Sequence, residues 1–148
     1  MYHRILVPMD GGEAAAKALD EALAIARAEL DGSAGSESAA PQLRLLYVLD
    51  DALDQIDMIA EGKAVLAEAA RRASEAGVVA ACATLPCNGR MIAEVILAQA
   101  RSFRADLIVL GTHGRKGLRR AILGSVAESV IRQSAVPVLL PGQGNDSP

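Results

Sequence analysis

The residues best placed to do chemistry lie in the stretch 111–125, Gly-Thr-His-Gly-Arg-Lys-Gly-Leu-Arg-Arg-Ala-Ile-Leu-Gly-Ser. It follows an apolar run, 106–110, that reads as a buried parallel strand, and precedes 126–132, which reads as a helix opening on Ser125. A strand, a long glycine-bearing loop and a helix N-terminus gather free backbone N–H groups and the positive end of a helix dipole in one place. That arrangement suits an anion, and loops of this length are often functional. The loop holds Arg115, Lys116, Arg119 and Arg120 and no acid, on a chain whose net charge is −3. A local basic cluster on an acidic chain points to a small anionic ligand rather than a nucleic-acid surface.

The elements that must position this loop follow from periodicity. Ile5-Leu6-Val7-Pro8-Met9 reads as a first strand ending at Asp10-Gly11-Gly12. Ala15, Leu19, Ala22, Leu23, Ala26 and Leu30 then recur at helical spacing, and Asp10 with Glu13 reads as a capping box at the helix start. Residues 31–41 read as a surface loop, and 43–49 as a second strand closed by Asp50-Asp51. A second helix, 54–76, carries Ile59, Lys63, Leu66, Ala70 and Ala73 on one stripe and ends at Gly77. A third strand (78–85), a turn at Pro86-Cys87-Asn88-Gly89, and a helix burying Ile92, Val95, Ile96, Gln99 and Ala100 come next. The last strand is 136–141, and 142–148 reads as a frayed tail.

Strict alternation of five strands and four helices implies an α/β fold. The expectation is one doubly wound, Rossmann-like parallel sheet with helices on both faces, in the order 3-2-1-4-5. Ligands of such sheets lie at the carboxyl ends of the strands where the order reverses. With strands 1 and 4 as central neighbours, the loops after Asp10 and Gly111 open into one crevice.

Composition agrees. A chain of 148 residues is the size of one domain, 1–141 with the tail appended. Half of it is hydrophobic, yet Tyr2, Tyr47 and Phe103 are the only aromatics, so the core is built from Ala, Leu, Ile and Val. No apolar run reaches the ~18 residues of a membrane span, and the opening Met-Tyr-His-Arg leads straight into a strand with no signal-peptide pattern. Cys82 and Cys87, with no histidine at metal-ligand spacing, read as reduced thiols of a cytoplasmic protein.

Gly111-x2-Gly114-x9-Gly124-Ser125 resembles the nucleotide-binding signature of the universal stress proteins, in their ATP-binding branch. The first strand with Pro8-x-Asp10, the second-strand end Tyr47-Val48-Leu49-Asp50, the fourth strand through Leu110-Gly111 and the closing Val136-Pro137-Val138 are similar to that family too. The turn at Pro86-Cys87-Asn88-Gly89 departs from its usual Gly-Asp-Pro-like sequence. The resemblance implies that Asp10 and the backbone of Val48 lie against adenine and ribose. Gly111 and Gly114 let the backbone approach ribose and phosphates with Arg115 alongside, while Gly124, Ser125 and the N–H of Val126 hold the phosphates with Mg²⁺ beside them. Pro8 and Leu110 belong to the same motif-bearing strand ends.

Each residue also has a plainer reading. Ser125-x-x-Glu128 is itself a capping box, and Asp10 caps a helix whether or not it meets a sugar. Gly124 is expected to use a positive φ that only glycine adopts freely. His113 has no acid or nucleophile partner in the sequence, so no catalytic role is expected of it, and His3 reads as a surface residue. The chain has no Gly-x4-Gly-Lys-Ser/Thr and no Gly-x-Gly-x-x-Gly after a strand. The Ser-Gly-Gly-x-Asp-Ser loop of pyrophosphatase-like enzymes is replaced by Met9-Asp10-Gly11-Gly12-Glu13, and the Asp and Lys of a phospho-receiver are missing.

Pro137 cannot donate to a ladder, which places the last strand at an edge. An edge of Val136, Pro137, Val138, Leu139 and Leu140 is too apolar to leave in water, and pairing with a second copy across a two-fold axis would cover it. The expectation is therefore a homodimer that binds ATP or another adenine nucleotide as a regulatory or stress-response protein, with slow or no hydrolysis and no nucleic-acid or membrane partner. A weak ATPase and a structural dimer with an empty crevice are the alternatives.

Overall fold

The computed structural model describes residues 1–114 and 123–142. Five strands alternate with four helices: β1 (Arg4–Met9), α1 (Glu13–Gly32), β2 (Gln42–Leu49), α2 (Gln55–Glu75), β3 (Val79–Pro86), α3 (Ile92–Phe103), β4 (Leu107–Val109), α4 (Ser125–Gln133) and β5 (Val138–Leu139). All pairings are parallel, as the alternation requires, and the order is β3-β2-β1-β4-β5, the expected one. The tail lies outside the described residues apart from Gly142.

Side chains of the central strands alternate between two apolar layers. Ile5, Val7 and Met9, with Leu43, Leu45 and Tyr47, pack under α1 and α2. Leu6, Leu46, Ile108 and Leu110 face the other way, toward α3 and α4. Burial on both faces is why these strands read as continuous apolar runs rather than alternating ones. Small residues let the helices lie close: the buried stripe of α1 is Ala14, Ala15, Ala18, Leu19, Ala22, Leu23 and Ala26.

Local chemistry sets the helix ends, in some places differently from expectation. The Asp10–Glu13 capping box does not form. Gly12 is the N-cap of α1 without a side-chain cap, and Asp10 Oδ1 instead accepts the Gly12 N–H at 2.8 Å, closing a turn one residue earlier. The Ser125–Glu128 box is absent too: Gly124 is the N-cap of α4, and Glu128 turns outward to Arg132 at 2.7 Å. On α2, Asp54 caps Ile56 and Asp57. Gly77, at φ 73°, ends that helix, its N–H donating to Ser74 and that of Val78 to Ala73.

The buried stripe of α2 is Met58, Gly62, Leu66, Ala69 and Ala73, rotated from the expected one, so that Ile59 is 41% exposed and Lys63 faces water. The cause is Gly62. The Tyr47 ring lies flat against it, and a Cβ there would stand 2.7 Å from Tyr47 Cδ1. A sequence reading has no reason to place a glycine on the buried face. His3 is half-buried rather than a surface residue. Pro137, as expected, belongs to the edge, where it precedes β5 and accepts from Ile108 N–H at 3.0 Å.

Gly62→Ala is therefore expected to destabilise the protein by about 1 kcal/mol in urea unfolding, because overpacking costs more than the helix-propensity gain returns. Gly32→Ala, where nothing lies within 4 Å of the added carbon, serves as the control and is neutral or stabilising.

Candidate functional site

At the carboxyl end of the sheet, β1 and β4 are neighbours. Their connections leave toward opposite faces, α1 to one side and α4 to the other, so a crevice opens between the loops that follow them. It is a cavity of about 820 Å³, within the size range of small-molecule sites, roughly 300–1,000 Å³. Pro8, Asp10, Val48, Leu110, Gly111, Gly114, Gly124, Ser125 and Val126 all line it. Arg115, with Lys116, Arg119 and Arg120, lies outside the described residues.

The two loops face each other across this space. Asp10 Oδ2 lies 3.9 Å from the point a Cβ on Gly114 would occupy, and Asp10 Oδ1 is held by Gly12 N–H. The three signature glycines have different reasons to be glycine. Gly111 packs on the first turn of α1, where an added Cβ would be 2.9 Å from the Ala14 carbonyl carbon and 3.0 Å from Ala15 N. Gly124 has φ −63°, so the expected positive φ is not its reason. Its N–H donates to Thr112 O at 2.7 Å, and a Cβ there would press at 3.1 Å on that oxygen and on His113 Cα. Among the described residues Gly114 meets no atom closer than the Asp10 carboxylate, so that on this side its missing side chain leaves cavity rather than relieving a clash.

Pinning Gly124 to Thr112 aims the N-terminus of α4 into the crevice. The first intrahelical bond is Glu128 N–H to Gly124 O at 2.9 Å, and among the described residues no side chain caps the turn before it. The N–H groups of Ser125, Val126 and Ala127 thus have no acceptor within the helix. Opposite them the wall is apolar, made by Pro8, Leu46, Val48, Ile92, Ile96 and Leu110. Toward α2 the lining turns polar, with Asp50, Glu61 and Tyr47, whose hydroxyl donates to Glu61 Oε2 at 3.3 Å. His113 also lines the cavity, its Nδ1 3.1 Å from Thr112 Oγ1.

Leu46, Tyr47, Ile92, Ile96 and Glu61 were not among the expected site residues. Leu46 and Val48 share a face of β2, and Ile92 and Ile96 are one helical turn apart. That spacing is equally the signature of ordinary core, so only the packing shows that part of this face borders open space. Among the described residues no three His, Cys, Asp or Glu side chains cluster to hold a metal. Cys87 is buried beside the rim. Burial, with Asp51 and Asp50 adding to it, holds its thiol above the ordinary value, so it stays protonated near neutrality.

A doubly wound parallel sheet with a crevice at its switch point makes this an α/β domain of the Rossmann-like class. The chain belongs to the universal stress protein family, whose family model matches residues 1–140. It is similar to universal stress protein YxiE of Bacillus subtilis (strain 168), 35% identical over 149 residues that span 95% of this chain and 99% of the relative. The crystal structure of a universal stress protein family member from Burkholderia pseudomallei matches with a TM-score of 0.74 at 31% identity, over 96% of this chain and 97% of that one. A universal stress protein solved in complex with cAMP matches with a TM-score of 0.67 at 26% identity, over 95% and 97%.

The two glycines of the β4 loop are expected to separate under substitution. Gly111→Ala, forced against the backbone of α1, lowers stability by about 1–3 kcal/mol, whereas Gly114→Ala leaves the urea midpoint within about 0.5 kcal/mol of the parent.

Proposed function

We propose that the crevice binds an adenine mononucleotide, ATP in the first instance, and that the protein acts as a cytoplasmic regulatory dimer whose state or partner changes with the bound nucleotide. The observation that carries this reading is the joining, in one cavity, of an apolar wall to three helix-terminal N–H groups without an intrahelical acceptor. A base needs the first and a phosphate the second. The relative that holds cAMP supports the same class of ligand. In this reading the base lies against the apolar wall at the backbone of Val48, Asp10 receives a ribose hydroxyl, and Gly111 and Gly114 leave room for the chain of phosphates. Ser125 and Val126 donate to the terminal phosphates, and Arg115 stands beside them.

The residues fit a magnesium ion carried by the nucleotide. Mg²⁺ is usually held by one or two carboxylates together with substrate phosphates, and Asp10 is a carboxylate on the crevice wall. When bound, the ion would neutralise phosphate charge. What the chain itself does is orient the nucleotide, and hydrolysis in this reading is slow or absent. The dimer would form through β5. This strand sits at the sheet edge, and its apolar residues Val136, Val138, Leu139 and Leu140 are only half-buried in one chain.

Titration calorimetry with ATP·Mg²⁺ tests the site. The parent is expected to bind. Gly114→Val, which adds bulk to the crevice and meets no backbone of the described residues, is expected to weaken binding at least about tenfold, or 1.4 kcal/mol, with its melting temperature kept. Absence of heat with the parent, or equal affinity in the variant, defeats the reading. For the dimer, sedimentation equilibrium should find the parent at twice the chain mass and Val138→Lys at the mass of one chain; a parent already at the mass of one chain removes the interface.

A further inference from the structure

The amino end of the sheet, away from the crevice, holds a second group of charged side chains. Arg4 pairs in register with Gln42 and Leu6 with Arg44, so Arg4 on β1 and Arg44 on β2 stand on the same face, two positions apart. Both guanidinium groups rest on the ring of Phe103 at the end of α3, with Cζ 5.2 Å and 4.6 Å from its centroid. Phe103 is buried and is the chain's only phenylalanine. One such contact is an ordinary cation–π pair. Two on a single ring gather like charges around a neutral group.

No acid answers them. Arg27, Arg71, Arg72 and Arg132 each pair with an Asp or Glu. Among the described residues neither Arg4 nor Arg44 does. Asp106 reaches the backbone of Arg4, but its two carboxylate oxygens are taken by the N–H groups of His3 at 2.8 Å and Arg4 at 3.0 Å. Arg44 Nε is buried without an acceptor among the described residues. A charged donor withdrawn from water without an acceptor is unfavourable, and the fold nevertheless keeps it.

We propose that Arg4 and Arg44 form a binding site for a compact oxyanion of the phosphate class. The anion accepts from the terminal N–H groups of the two guanidiniums, whose fork geometry suits phosphate oxygens, and balances charge that no carboxylate pairs with among the described residues. Phe103 holds both side chains in place beforehand, which lowers the ordering cost of binding. The site lies at the first residue of β1. Pro8, the first β1 residue on the crevice wall, is four residues or roughly 13 Å of strand from Arg4, and the fully buried Leu6 and Leu46 stand between the arginines and the crevice on that face, so the two sites are separate and this one stands whether or not the crevice takes a nucleotide.

The test is an NMR titration of the full chain with inorganic phosphate at constant ionic strength, following the side-chain Nε–H cross-peaks of Arg4 and Arg44. Both are expected to shift saturably with phosphate and to stay in place with chloride. Arg44→Met, which keeps an apolar stem over Phe103, is expected to weaken phosphate binding at least about tenfold. Gly114→Val, altered only in the crevice, is expected to leave the response intact. Cross-peaks that do not move, that move equally with chloride, or that lose their response in Gly114→Val overturn the proposal, as does parental affinity in Arg44→Met. The shift is read on the parent protein, so the test stands even where a variant folds poorly.

Discussion

The crevice depends on one backbone contact, the hydrogen bond from Gly124 N–H to Thr112 O. It brings the far end of the β4–α4 loop back onto its near end, so that α4 starts beside the strand it followed rather than beyond the sheet. Without a side chain at Gly124 the two stretches approach closely enough for this bond, and the first turn of α4 is left open toward the space over β1 and β4. Gly111 plays the matching part on the other side by letting the β4 end lie against the first turn of α1. Two helix starts and two strand ends thus converge, which is the geometric condition for a ligand site in an open parallel sheet.

Packing explains why space remains there. The α1 stripe is mostly alanine, so that helix lies close to the sheet, whereas α2 receives the Tyr47 ring against Gly62. On the opposite face, Ile92 and Ile96 of α3 and Leu46 and Val48 of β2 approach the carboxyl end without closing over it. An apolar wall left unfilled costs contacts that a packed interior would have made.

The two ends of the sheet differ in charge logic. At the carboxyl end, among the described residues, backbone N–H groups of α4 supply the positive character, and the carboxylates of Asp10, Asp50 and Glu61 share the lining with an apolar wall. At the amino end, the cations are side chains gathered on one aromatic ring, while the nearest carboxylate, Asp106, is committed to the backbone. A net charge of −3 conceals both local arrangements.

Much of this was legible in the residues themselves. Alternating apolar runs and amphipathic stretches determine a parallel sheet covered on both faces, because such strands cannot sit elsewhere, and Pro137 places the last one at the edge. The spacing of Gly111, Gly114, Gly124 and Ser125 marked the strand ends that gather at the crevice. Other features belong to tertiary structure, because they arise from contacts between distant residues. The N-cap positions passed from Asp10 and Ser125 to Gly12 and Gly124, since Asp10 Oδ1 accepts the Gly12 N–H and Thr112 O the Gly124 N–H instead. The α2 stripe turned because Tyr47 needed the room that Gly62 provides. Gly124 proved to be glycine for close approach and not for its φ, a distinction no sequence carries. Periodicity reports which face of an element is apolar; only the assembled chain decides whether that face meets another side chain or an open cavity.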